Sequence, residues 1–181
     1  SLDMGKLWHT EGTDGASFKI PALSGATSPP VAGFTSGWSL VFKGNFKRLN
    51  LPLNTSPPAW FIDETASFTL HALFQTEDGF IRQESSNTSG TLLGTLNIPI
   101  VDIDKDITLT ITASSGGDYK AYIDGVLALE DSFTYQPIQD NSFNMRIGVM
   151  EGGATRRFYK NLKSTRIFDK VLTPAEASNT L

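Results

Sequence analysis

The chain of 181 residues contains no cysteine. That excludes a disulfide framework, a thiolate metal site and a cysteine nucleophile. It does not limit the size of the core, because a compact fold of this length removes about 70% of its unfolded surface from water without staples. Histidine is almost as scarce: His9 and His71 are the only two, so a nucleophile–base arrangement has few possible members. No apolar run approaches the roughly 18 to 20 residues that span a bilayer, and membrane insertion is not expected. No basic run is present either. With 15 Lys and Arg against 19 Asp and Glu, the formal net charge is -4, which argues against a nucleic-acid binder driven by phosphate contacts. The opening residues, Ser1 to Gly12, lack the apolar centre of a signal peptide. The expectation is one domain over residues 1–181, excised from a longer protein.

What is abundant is alternation. From Ile107 to Ala113, apolar residues alternate with Thr108, Thr110 and Thr112, a period of two that sends one face inward and the other outward. Asp124-Gly125 separates two further apolar runs, Tyr119–Ile123 and Val126–Leu129. That pair suits a type I′ turn, which needs positive φ at both central residues. If the two-residue turn sets the register, Tyr119, Ala121, Ile123, Val126 and Ala128 share one face, with Lys120, Tyr122, Asp124, Leu127 and Leu129 on the other. Similar runs begin at Phe18, Trp38, Ala59, Ser67, Phe80, Leu92, Phe143 and Phe158. Thr173-Pro174-Ala175-Glu176 forms a capping box with proline at the first helical position. About ten short strands followed by one short helix predict an all-β, two-sheet antiparallel sandwich.

The order of these signals carries more information than any one of them. Gly15, Phe18, Ile20 and Pro21 come first, then a strand from Trp38, the hairpin Tyr122-Ile123-Asp124-Gly125, a strand ending in Ile147-Gly148, and Arg166-Ile167-Phe168-Asp169-Lys170-Val171-Leu172-Thr173 before Glu176. Over about residues 15–181 this order resembles the laminin-G-like, concanavalin A-like lectin domains. The resemblance implies a jelly roll of two curved sheets with a short C-terminal helix, and many such modules bind glycans without catalysis. Two family features are absent: the Asp-x-x-Gly-Asn opening, and the Gly-x-Ile-Asp-Asp-Val segment that Lys160 to Thr165 replace. The β-glucanases of the superfamily carry Glu-x-Asp-x-Glu on one strand face, and that motif is missing too.

A sugar ring packs its C–H face on a flat aromatic while polar groups take its hydroxyls. Trp60, with Asp63 close by, is the leading ligand-binding candidate; Trp38 shares a strand face with Leu40 and Phe42 and belongs in the core. Tyr122 is a further candidate on the outer face of its hairpin. Arg156 and Arg157, in a glycine-rich loop, suit an acidic sugar or a phosphate, or else mark a solvated hairpin tip. Asp102, Asp104 and Asp106 offer carboxylates at every second position for calcium, without the EF-hand glycine and glutamate; a solvated acidic loop is the alternative. His71 reads as an ordinary strand residue. Three functions stand in order: a non-catalytic carbohydrate-binding or adhesion module with a glycan or polysaccharide partner, an interaction domain of a larger assembly such as a bacteriophage tail or fibre, and a glycoside hydrolase. The first two place it outside the cell or on a virion surface.

Overall fold

The computed structural model describes residues 18–20, 32–45, 59–64, 68–76, 80–99, 106–138, 145–147 and 162–179. Eleven strands run through them: β1 (Phe18–Ile20), β2 (Gly37–Asn45), β3 (Ala59–Glu64), β4 (Thr69–Gln75), β5 (Phe80–Ser86), β6 (Leu92–Pro99), β7 (Asp106–Ser114), β8 (Asp118–Ile123), β9 (Val126–Ser132), β10 (Met145–Ile147) and β11 (Leu162–Phe168). A 3-10 turn spans Ala32–Thr35, and one helix, α1, spans Pro174–Asn179. Every strand pair is antiparallel. One sheet has six strands in the order β1-β10-β3-β4-β5-β6, the other five in the order β11-β2-β7-β8-β9. The expected two-sheet sandwich with a short terminal helix is what the chain forms. No helix among the described residues is long and apolar enough to cross a membrane.

The alternation in β7 sorts as the sequence implies, with Ile107, Leu109, Ile111 and Ala113 facing the other sheet. They meet Trp38, Leu40 and Phe42 from β2, and Leu73, Ile81, Leu96 and Ile98 from the six-stranded sheet. Each such side chain, fully buried, contributes about 1.5 to 3 kcal/mol. Phe34 from the 3-10 turn closes one part of this core and accepts, through its carbonyl, a hydrogen bond from the Tyr135 hydroxyl. Gly94 on β6 is a packing requirement: a Cβ there would run into the ring of Phe133, which is itself stacked 3.8 Å from the Tyr119 ring.

The Asp124-Gly125 turn has the positive φ angles expected, 50° and 79°. Asp124 is held to β7 by its own N–H to the Thr108 carbonyl and by its carboxylate to the Thr108 N–H, so its chemistry serves the turn. The register beyond it departs from expectation. Ala121 pairs with Leu129 but Tyr122 pairs with Leu127, so Ala128 is an extra residue, a β-bulge. The bulge sends Leu129, not Ala128, toward the core.

Residues after β11 cross the outer surface of the five-stranded sheet. The Ser39 hydroxyl donates to the Lys170 carbonyl at 2.7 Å and accepts from the Leu172 N–H at 2.9 Å. Leu172 and Ala177 are buried, and the backbone at Gly125 lies so near Ser178 that a side chain would not fit. This cover lies on Ser39, and Val41, Thr110, Thr112 and Tyr122 on the same face are buried as well. The capping box that starts α1 is formed: the Thr173 N–H donates to Glu176 Oε2 at 2.8 Å and the Glu176 N–H to Thr173 Oγ1 at 3.3 Å. Lys170 Nζ sits 2.6 Å from Glu176 Oε1, and this contact first, then those from Thr173, draws the Glu176 carboxyl down to about 2.

Candidate functional site

The outer face of the six-stranded sheet is chemically different from the covered one. Along β5, Ile81, Gln83 and Ser85 are buried, while Phe80, Arg82, Glu84 and Ser86 are half-buried on the other side. The sheet register sets Arg82 between Phe74 on β4 and Asn97 on β6. Its guanidinium is oriented by these surroundings. Nε–H donates to Asn97 Oδ1 at 2.8 Å, and Nη1 lies 3.7 Å from Glu84 Oε1, beyond hydrogen-bonding range. The Nη2 edge has no partner among the described residues. With Nε given to Asn97 and Nη1 beside Glu84, Nη2 is the part of the guanidinium left to donate, and a charged N–H of this kind binds a carboxylate oxygen strongly. Beside it the half-buried Phe74 supplies an apolar neighbour in the same cross-strand row. The adjoining row runs Lys19, Arg146, Ile62, Ala72, Glu84, Thr95 across six strands.

Trp60 enters this region through its backbone. Ala59 pairs with Phe74 and Phe61 with Leu73, which leaves Trp60 as the extra residue of a bulge next to the Phe74–Arg82–Asn97 row. Bulges re-aim side chains and gather beside binding sites. Asp63 pairs with His71 instead, in the row that continues to Ser85. Tyr122 corrects the sequence expectation: it is 6% exposed, on the five-stranded sheet, and a ring so buried has no face to offer a sugar. Asp106 is the exposed first residue of β7, whereas Asp102, Asp104, Arg156 and Arg157 lie outside the described residues. Among the described residues no group of three metal-ligating side chains converges. Arg82, Asn97 and Phe74 were not singled out from the sequence. The signal for them was an arginine and an asparagine nearly equidistant from the Asn87–Thr91 turn.

Behind the same strands lies a polar cluster sealed between the sheets. His71 Nδ1 is 3.1 Å from Ser85 Oγ and Nε2 is 3.4 Å from the Pro137 carbonyl, with Trp38 edge-on at 5.1 Å. Gln83 Nε2 donates to Ser85 Oγ at 2.8 Å, Trp38 Nε1 to the Gln136 carbonyl at 3.0 Å, and the Gln136 N–H to the Tyr119 hydroxyl at 3.2 Å. Desolvation pulls the His71 pKa down to about 4, against the raising effect of backbone bonds from Pro137 and Gln136. A serine and a histidine in contact have the composition of a nucleophile and base. At 0% and 1% exposure, however, neither is open to a substrate. The cluster fixes the sheets to the 133–138 segment.

Comparisons with known proteins agree with this architecture. A family model described as the Concanavalin A-like lectin/glucanases superfamily matches residues 52–178. No curated protein matches the sequence. Among solved structures, the carbohydrate-binding module CBM40 of a Ruminococcus gnavus IT-sialidase, bound to α2,3-sialyllactose, is 17% identical with a TM-score of 0.64, and 94% of each chain is covered. The binding domain of Paraclostridial Mosquitocidal Protein 1 is 17% identical with a TM-score of 0.61, covering 80% of this chain and 36% of that one. The receptor-binding domain of the botulinum neurotoxin C/D mosaic serotype is 16% identical with a TM-score of 0.60, covering 81% of this chain and 36% of that one. At these identities the likeness is one of fold.

Proposed function

Since the chain belongs to the concanavalin A-like lectin/glucanases superfamily, we propose that it is a non-catalytic carbohydrate-binding module whose ligand lies on the outer face of the six-stranded sheet and carries a carboxylate. The observation that supports this most is Arg82, oriented by Asn97 and flanked by Phe74, with its Nη2 unpartnered among the described residues. A charge-assisted pair takes the acid group, Phe74 and Trp60 take the apolar side of the ring, and Asn97 and Thr95 take hydroxyls. The likeness to a module bound to sialyllactose, whose terminal sugar is an acid, points the same way. The two-carboxylate route to glycoside hydrolysis needs both groups facing one bond. Next to Arg82 the described residues supply one, Glu84, and it faces a guanidinium. Such a module works where glycans are displayed, on a cell or virion surface, attaching a larger protein to them.

Calorimetry and a glycan array with wild type, Arg82→Ala, Arg82→Lys and Trp60→Ala test the reading. Wild type is expected to bind sialylated or uronic-acid glycans, and loss of a hydrogen bond to a charged group weakens binding roughly 10- to 100-fold in Arg82→Ala. Arg82→Lys recovers little, because an ammonium lacks the planar fork. Silence on a broad array, or an Arg82→Ala protein that binds as wild type does, refutes it.

A further inference from the structure

We propose that Glu84 makes this surface a charge filter, which admits a glycan bearing a single carboxylate and turns away sulfated polyanionic glycans. The inference rests on the reading that the Arg82 face binds a glycan, and it goes beyond that reading in naming what the face excludes. A guanidinium alone grips planar or tetrahedral oxyanions alike, so Arg82 by itself would welcome sulfate. Here a second charge stands beside it. Glu84 Oε1 lies 3.7 Å from Nη1, and the two side chains are 31% and 32% exposed, so their charges are only partly screened by water. Asn97 holds Nε at 2.8 Å, which keeps the guanidinium from swinging away from Glu84. The two groups thus present a donor edge next to an acceptor oxygen. A sugar acid matches both, because its carboxylate meets Arg82 while a neighbouring hydroxyl or amide N–H donates to Glu84. A polyanion matches only the first and sets the charges next to its Arg82 contact against Glu84, since the cations of this row, Arg146 and Lys19, stand three and four strands away.

The test compares sialyllactose with a heparin-derived tetrasaccharide, titrated into wild type and Glu84→Gln at low and physiological salt. Wild type is expected to bind sialyllactose and to bind the sulfated probe at least tenfold more weakly. In Glu84→Gln the sulfated probe gains about tenfold, the scale of one unit charge several ångströms away near a protein surface, and that gain shrinks as salt rises. The proposal is overturned by a wild type that binds both probes equally, or by a Glu84→Gln protein whose preference between them is unchanged. Binding without discrimination sinks the filter alone, whereas silence toward every glycan sinks the binding reading and the filter together.

Discussion

Acidification should loosen this protein through a single imidazole. His71 is 1% exposed, and its neighbours suit the neutral ring. Ser85 Oγ already accepts from Gln83, so its hydrogen is available to His71 Nδ1, while His71 Nε2–H faces the Pro137 carbonyl. A second proton would set an N–H against the Ser85 hydroxyl and leave a charge between two sheets. Burial accordingly lowers the pKa from 6.5 to about 4. An unfolded chain takes up this proton near pH 6.5 and the folded one does so only near 4, so the contribution to stability is intact above the unfolded value and is lost as pH falls through the interval. A shift of about 2.5 units corresponds to about 3 kcal/mol over that window. Urea unfolding at pH 7.5, 6, 5 and 4 measures the effect in wild type and in His71→Gln, which fills the site without titrating. The variant starts less stable, but wild type should lose about 3 kcal/mol more than it does between pH 7.5 and 4. Imidazole carbon-bound proton signals give the midpoint directly, the His71 resonance being the one missing from the variant. Parallel stability curves, or a His71 resonance titrating near 6.5, would show that the cluster is not sealed.

Two further outcomes concern packing. Gly94→Ala drives a methyl into the Phe133 ring, which cannot recede because it is stacked on Tyr119, and the variant should lose about 1 to 3 kcal/mol of unfolding free energy; a variant as stable as wild type would mean the ring is free to move. Thr173→Ala removes the acceptor for the Glu176 N–H, at a cost of about 1 kcal/mol, with faster hydrogen exchange at Ala177 as the local readout. Unchanged exchange there would count against the capping box.

Much of the architecture is legible in the sequence because turns and caps are local. Asp124-Gly125 dictates its own backbone, and Thr173 to Glu176 need only each other. The orientation of β4 and β5 is not local. The apolar rule places Ile81 inside but gives no reason for Gln83 and Ser85 to accompany it; inside, Ser85 Oγ meets His71 from β4, and Gln83 Nε2 donates to Ser85 Oγ and to the Glu84 carbonyl. The site was hidden for a related reason. Arg82 faces Asn97 only because Leu93 is unpaired between Gly94 and Leu92; without that bulge the same hairpin would oppose Arg82 to Leu96 and turn the pairing to the opposite face. Tyr122 misled because nothing in its own strand tells that the outer side of its sheet is buried there.

The cover over Ser39 has a consequence for the order in which the chain assembles. Ser39 is bonded to a carbonyl 131 residues away, and β2, next to the edge of its sheet, has β7 on one side and β11 on the other. While the polypeptide emerges from the ribosome, β7, β8 and β9 can pair as soon as they appear, since short turns join them. Strand β2 emerges long before either neighbour exists and must wait for both. Such long-range closure is slow, and it exposes Trp38, Leu40 and Phe42 in the interval. A nascent chain arrested before Leu162 therefore makes a sharp probe of aggregation, because it holds most of the core and lacks the last edge strand that seals it.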